Sequence, residues 1–172
     1  MRRALTLGAI AVLAALAVTG SLSAATGAAK TSLTITALGK ASGLGGPTSG
    51  TFNLVGANAA TTDSGRLTFT APTNALPRKT ADGLAYTPMQ LTETLKGKHG
   101  TLVIRSTVRL FDVVKEDDVI ATGTWSILRG TGKYAGLKGG GALVGITQFP
   151  ADAASVTEVD FSYRYQGMVT GA

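Results

Sequence analysis

Between Lys30 and Val169 the apolar residues recur at every second position, and no stretch carries the three-to-four spacing of an amphipathic helix. A chain with that period buries one face of a sheet, so the pattern confines it to all-β architectures. Eight strand-like runs can be read: Ser32–Leu38, Thr51–Gly56, Gly65–Thr70, Thr87–Lys96, Thr101–Asp112, Val119–Leu128, Gly141–Gln148 and Val156–Val169. Gly, Pro, Asn and Asp separate them. Gly39–Gly50 reads as a glycine-rich loop, Thr73–Leu84 as the longest irregular connection, and Lys115–Asp118 as an acidic turn. Short strands at fairly even spacing, with no internal repeat, leave two architectures, a sandwich or an up-and-down barrel.

Glycine is densest between Gly123 and Gly145, a stretch that also holds the only tryptophan, Trp125. One strand enters it, a turn spans Arg129–Gly139, and a second strand leaves from Gly141. Tyr134 and Leu137 stand three apart in that turn, which predicts a single helical turn laid on a barrel end. The segment is not a phosphate cradle. Lys133 follows Gly132, but no earlier glycine has the P-loop spacing, no Ser or Thr follows the lysine, and strand patterning resumes at once. It also fails the dinucleotide fingerprint, which needs a third glycine three residues after the second and a helix beyond.

The run Leu128-Arg129-Gly130-Thr131-Gly132-Lys133-Tyr134-Ala135-Gly136-Leu137-Lys138-Gly139 resembles the signature of the allene oxide cyclase and dirigent-like barrel superfamily. It departs from that pattern at Arg129, where a small residue is usual. The resemblance implies an eight-stranded antiparallel barrel with a central cavity. Members of the superfamily include plant and bacterial cyclases, proteins that guide radical coupling, and exported bacterial proteins of unknown role.

The N-terminus reads as a targeting segment. Arg2 and Arg3 precede an uncharged apolar run, Ala4–Val18, and small residues follow. This is the form of a signal-peptide helix, too short and wrongly flanked for a lasting membrane span. Cleavage is placed after Ala25, with Ser23 and Ala28 as alternative sites, giving a leader over residues 1–25 and a barrel domain over 26–172. With no cysteine after the apolar run, a lipid anchor is not expected. The processed chain would be released, or loosely held at the cell envelope, without stable membrane insertion.

Charge supports that reading. The chain has 16 basic against 10 acidic side chains. Loss of Arg2 and Arg3 leaves a modest excess, spread along the chain. Nucleic-acid recognition would need clustered bases interleaved with aromatics, so it is not expected. About 147 residues remain, enough for one domain with a core. The chain has no cysteine, so sheet and core alone must hold it, and thiol chemistry is excluded.

Alternation sorts the strand faces. Leu102, Ile104, Ser106, Val108 and Leu110 point into the barrel, leaving Arg105, Thr107 and Arg109 outside. Val159, Phe161, Tyr163 and Tyr165 point in, leaving Arg164 outside. Trp125 shares an inward face with Ala121, Gly123 and Ile127. One residue conflicts with an apolar interior. Glu93 lies in line with Met89, Leu91 and Leu95, and pairing Leu95 with Leu102 or Ile104 puts it on the face of Ser106. A carboxyl group there should have a raised pKa and is the candidate catalytic acid or base. In cyclase-like members an acidic residue inside the barrel assists the reaction, which the resemblance implies only in general. Tyr163, Tyr165, Phe161, Ser106 and Trp125 form the candidate wall for a small apolar or aromatic ligand.

No metal or cofactor is expected. His99, the only histidine, reads as a turn residue without a partner. Asp112, Glu116, Asp117 and Asp118 lack calcium-loop spacing and read as a solvated turn. Asp63, Ser64 and Ser155 have no recognisable nucleophile context. Three function classes stay open: an exported non-catalytic barrel that binds a small apolar ligand, an isomerase or cyclase-like enzyme guiding a reactive intermediate, and a structural or envelope-interaction protein with a filled barrel. The sequence does not decide the oligomeric state.

Overall fold

A computed structural model describes residues 29–42, 48–56, 62–70, 76–113, 118–148 and 158–171. The leader and its cleavage site, Glu116, Asp117 and Ser155 lie outside these residues. The described strands are β1 (Thr31–Ala41), β2 (Thr48–Gly56), β3 (Asp63–Thr70), β4 (Arg78–Lys79), β5 (Ala85–Gly97), β6 (Thr101–Val113), β7 (Asp118–Gly130), β8 (Lys138–Gln148) and β9 (Val159–Thr170). All pairings are antiparallel, in the order β3-β2-β1-β9-β8-β7-β6-β5. Pairing of β3 with β5 closes the ring into an eight-stranded up-and-down barrel, which removes the free sheet edges. There is no α-helix among the described residues.

Three sequence expectations change. Gly39–Gly50 is not simply a loop. β1 runs on to Ala41 and β2 starts at Thr48, with Gly39 opposite Gly50. Both glycines occupy inward positions, and a Cβ on Gly39 would fall 2.8 Å from the Phe161 ring, so the missing side chains let the hairpin continue over that ring. Within Thr73–Leu84, β4 pairs with Tyr86 and Ala85 across a turn held by Thr80, whose hydroxyl accepts from the Leu84 N–H at 2.9 Å. In the glycine-dense segment β7 extends to Gly130 and β8 begins at Lys138, so the turn is shorter than expected.

The inward faces make one core. It includes Ile35, Leu54, Leu67, Leu91, Leu95, Leu102, Ile104 and Val108, all essentially without exposure. Each such aliphatic side chain stabilises the fold by roughly 1.5–3 kcal/mol. Aromatic rings fill the half nearer the β1–β2 and β8–β9 connections: Phe161 meets Phe69 edge-on at 5.3 Å and leans on Tyr163 at 5.2 Å. Tyr163 has room only because its cross-strand partner is Gly145, and a Cβ there would overlap the tyrosine ring. Gly145→Ala is therefore expected to cost about 1–3 kcal/mol through the displaced ring, read as a lower urea midpoint at unchanged slope.

The opposite end carries the predicted helical turn, a single 3-10 turn at Gly132–Tyr134. It is tied to the β5–β6 hairpin: Lys133 N–H donates to the His99 carbonyl at 2.9 Å, and Thr131 N–H to the Thr101 carbonyl at 2.8 Å. Gly132 makes this approach with φ of 60°, where a side chain would strike the His99 carbonyl oxygen. Tyr134 is buried across the barrel end.

Candidate functional site

Glu93 is where alternation places it. In the β5–β6 register Leu95 faces Leu102, Glu93 faces Ile104 and Leu91 faces Ser106. The Glu93 side chain is 0 % exposed, as is Ser106. Ser106 donates its hydroxyl to one carboxyl oxygen of Glu93 at 2.6 Å, and the Tyr165 hydroxyl donates to the other. Burial pushes the Glu93 carboxyl up to about 7, and the hydrogen bonds from Ser106 and Tyr165 hold it from rising further. Burial also raises Tyr165 well above the ordinary phenol range, with the Glu93 charge adding to it. Tyr165 is therefore a neutral donor at neutral pH.

The proposed ligand wall divides into separate contacts. Tyr163 lies two residues from Tyr165 on the same face but bonds the Thr147 hydroxyl at 3.1 Å instead of Glu93. Burial raises its pKa too. Trp125 stands against Tyr165 edge-on at 6.3 Å, and its indole N–H reaches the Gln166 carbonyl at 3.3 Å. Phe161 belongs to the ring cluster near the other connections. So Glu93, Ser106 and Tyr165 form one hydrogen-bonded group, Trp125 packs against its tyrosine, Tyr163 feels the Glu93 charge without bonding it, and Phe161 belongs to the separate ring cluster. The side chains around Glu93 leave it without exposure to solvent. A groove of about 550 Å³ opens on the outer wall, lined mostly by outward residues such as Leu38, Lys40, Thr51, Gln148 and Asp160, and it reaches the inward positions Gly39, Gly50 and Phe161, a residue of the expected ligand wall. Arg105, Arg109 and Arg164 are exposed, as expected.

A second carboxylate was not legible as a site. Asp63, at the start of β3, is 4 % exposed. Its Oδ1 accepts the N–H groups of Ser64 at 2.8 Å and Lys98 at 3.0 Å. Its Oδ2 accepts the His99 N–H at 3.1 Å and the Tyr134 hydroxyl at 2.6 Å. Burial favours the neutral acid, but the donors, led by Tyr134, outweigh it and hold the pKa below its ordinary value. Burial and the Asp63 charge push the Tyr134 phenol up. His99 is indeed on a turn, but it has a partner: besides its backbone bond, its Nδ1 lies 4.0 Å from Asp63. Asp63 thus joins three chain segments across one barrel end. The only sequence signal was a carboxylate opening a strand whose later inward positions are apolar.

Among the described residues no group of three metal-ligating side chains converges, and no buried side-chain polar atom lacks a partner. Asp118 opens β7, while Asp112 is exposed near the end of β6. No helix among the described residues is long and apolar enough to cross a membrane. Set against protein-family models, curated proteins and solved structures, the chain matches none of them.

Proposed function

We propose that this chain is an exported, non-catalytic β-barrel whose interior is taken up by its own side chains and which works through its outer surface. The observation that carries the reading is the complete burial of Glu93. A general acid or base must come within hydrogen-bond reach of a substrate atom. Here protein hydroxyls engage both carboxyl oxygens, so the group serves as a polar tie between β5, β6 and β9. The likeness to the allene oxide cyclase and dirigent-like superfamily belongs to the same proposal. It rests on Leu128–Gly139 and on the closed eight-stranded barrel that carries this turn across one end. Export rests on the leader-like residues 1–25.

Native mass spectrometry of protein recovered from the producing cell tests these points together. The expected mass is that of the chain from Thr26, with no retained small molecule. A stoichiometric adduct would overturn the filled barrel in favour of ligand binding. A full-length form held in the membrane would overturn export.

One observation favours a second reading, an isomerase or cyclase-like enzyme: Glu93 has its pKa at about 7 and lies against an inward phenol. Under that reading substrate must part the side chains over Glu93, and Glu93→Gln would remove turnover from a folded protein.

A further inference from the structure

We propose that the outer wall made by β6, β7, β8, β9 and β1 is a two-fold interface with a second copy of this chain. Cross-strand register arranges that wall in three rows. The middle row is Phe111, Ile120, Ile146, Ser162 and Leu38, each opposite the next. Leu38, Ile120 and Ile146 are 37–52 % exposed, and Val144, one row below, is 52 % exposed. Ile120 and Ile146 thus stand side by side on a wet barrel face, with Val144 below and Leu38 beyond Ser162, an apolar strip of the kind that marks an interaction site.

The flanking rows have opposite charge. Above the apolar row lie Asp118, Gln148, Asp160 and Lys40, with Glu158 just before β9. Lys40 bonds Glu158 at 2.8 Å and lies 3.9 Å from Asp160, so it offsets only part of the three carboxylates. Below the apolar row lie Arg109, Thr122, Val144, Arg164 and Thr36. The order along the strands is therefore acidic, apolar, basic, with successive rows about 6.7 Å apart.

This order identifies the occupant. In an isologous dimer each residue at a given distance on one side of the axis meets the residue at the same distance on the other. With the two-fold axis along the apolar row, Ile146 meets Ile146. Asp160 meets Arg164 of the second copy, and Asp118 comes beside its Arg109. An axis along the strands would instead set acid on acid and arginine on arginine. An anionic lipid surface suits the wall less well, because the apolar strip is two residues deep only on β8, at Ile146 and Val144, and carboxylates border it. Because the closed barrel curves, the contact centres on β7, β8 and β9, roughly 10 Å across at about 4.8 Å per strand, below the size of stable interfaces, so a weak dimer, micromolar at best, is expected.

Sedimentation velocity over a wide concentration range tests this on the purified protein, with circular dichroism confirming that each variant folds. The parent should pass from monomer to dimer, and raised salt should weaken the dimer. Ile146→Asp should abolish it. Arg164→Asp and Asp160→Arg should each weaken it roughly tenfold or more, and the two together should restore it, because the swapped charges again face each other. A parent that stays monomeric throughout would overturn the proposal, as would a double variant no better than either single one. Adsorption to anionic phospholipid vesicles without self-association would assign the wall to a membrane surface and also overturn it.

Discussion

Glu93→Gln is expected to make the barrel more stable than the parent at pH 8, with the difference between the two proteins growing by about 3 kcal/mol from pH 4 to pH 8. The folded carboxyl titrates at about 7, above the ordinary glutamate value, with burial as the main cause. The sign follows from that order. Below the unfolded pKa of about 4.3 both states hold the proton and the group is neutral toward folding. As pH rises, the unfolded chain ionises first and gains solvation that the buried group cannot match, so folded stability falls until the folded pKa is passed. Glutamine cannot ionise, so the variant escapes this loss. Any fixed cost of fitting an amide between Ser106 and Tyr165 cancels when the two pH values are subtracted. Urea unfolding of both proteins at the two values measures the quantity. A difference that does not change with pH would mean that Glu93 titrates normally inside the barrel. A variant weaker than the parent at pH 8 alone would mean that the ionised carboxylate is well compensated by Ser106 and Tyr165.

Asp63→Ala is expected to cost about 3–5 kcal/mol, the largest loss from any single side-chain replacement considered for this fold. Two effects combine. The charged acceptor of four hydrogen bonds disappears, and the buried Tyr134 hydroxyl is left without its partner. Tyr134→Phe removes one bond and leaves no orphan group on the ring, so it should cost about 1–2 kcal/mol. Asp63→Asn should fall between them, because its amide N–H atoms point at donors. The pH dependence has the opposite sign to that of Glu93. Tyr134 and the three backbone donors, working against burial, hold the Asp63 pKa below its ordinary value. Its contribution is therefore fully present above the unfolded value of about 3.9 and is lost as pH falls through the folded one. Asp63→Asn should lose part of that acid sensitivity. If Asp63→Ala unfolds at the parent's urea concentration, the barrel end is held by strand pairing and the Lys133 and Thr131 backbone bonds alone.

The two carboxylates also differ in how far the sequence reveals them. Glu93 stands out because the side-chain period of a strand is two and its neighbours at that period, Leu91 and Leu95, are apolar. Local order is enough to put it inside. A short hairpin then fixes its register with β6, which brings in Ser106. Asp63 follows a polar run, Thr61–Thr62, and stands two residues before the strand-like run that begins at Gly65. Its partners lie 35, 36 and 71 residues away and reach it only when the β5–β6 hairpin and the 3-10 turn fold over the same barrel end.

Local patterning along the chain is enough for the all-β class, the strand pattern, the inward faces, the outward arginines and the turn after β7. These follow from periodicity and from glycine, which act over a few residues. Which inward groups meet depends on how the ring closes. Tyr163 and Tyr165 are equivalent by alternation, yet barrel closure gives Tyr165 to Glu93 and Tyr163 to Thr147. It also decides which side chains enclose Glu93. That depends on how closely opposite walls approach, and glycines such as Gly39 and Gly145 set the approach by leaving space for rings from another strand. Periodicity along one strand carries no information about the far side of the ring.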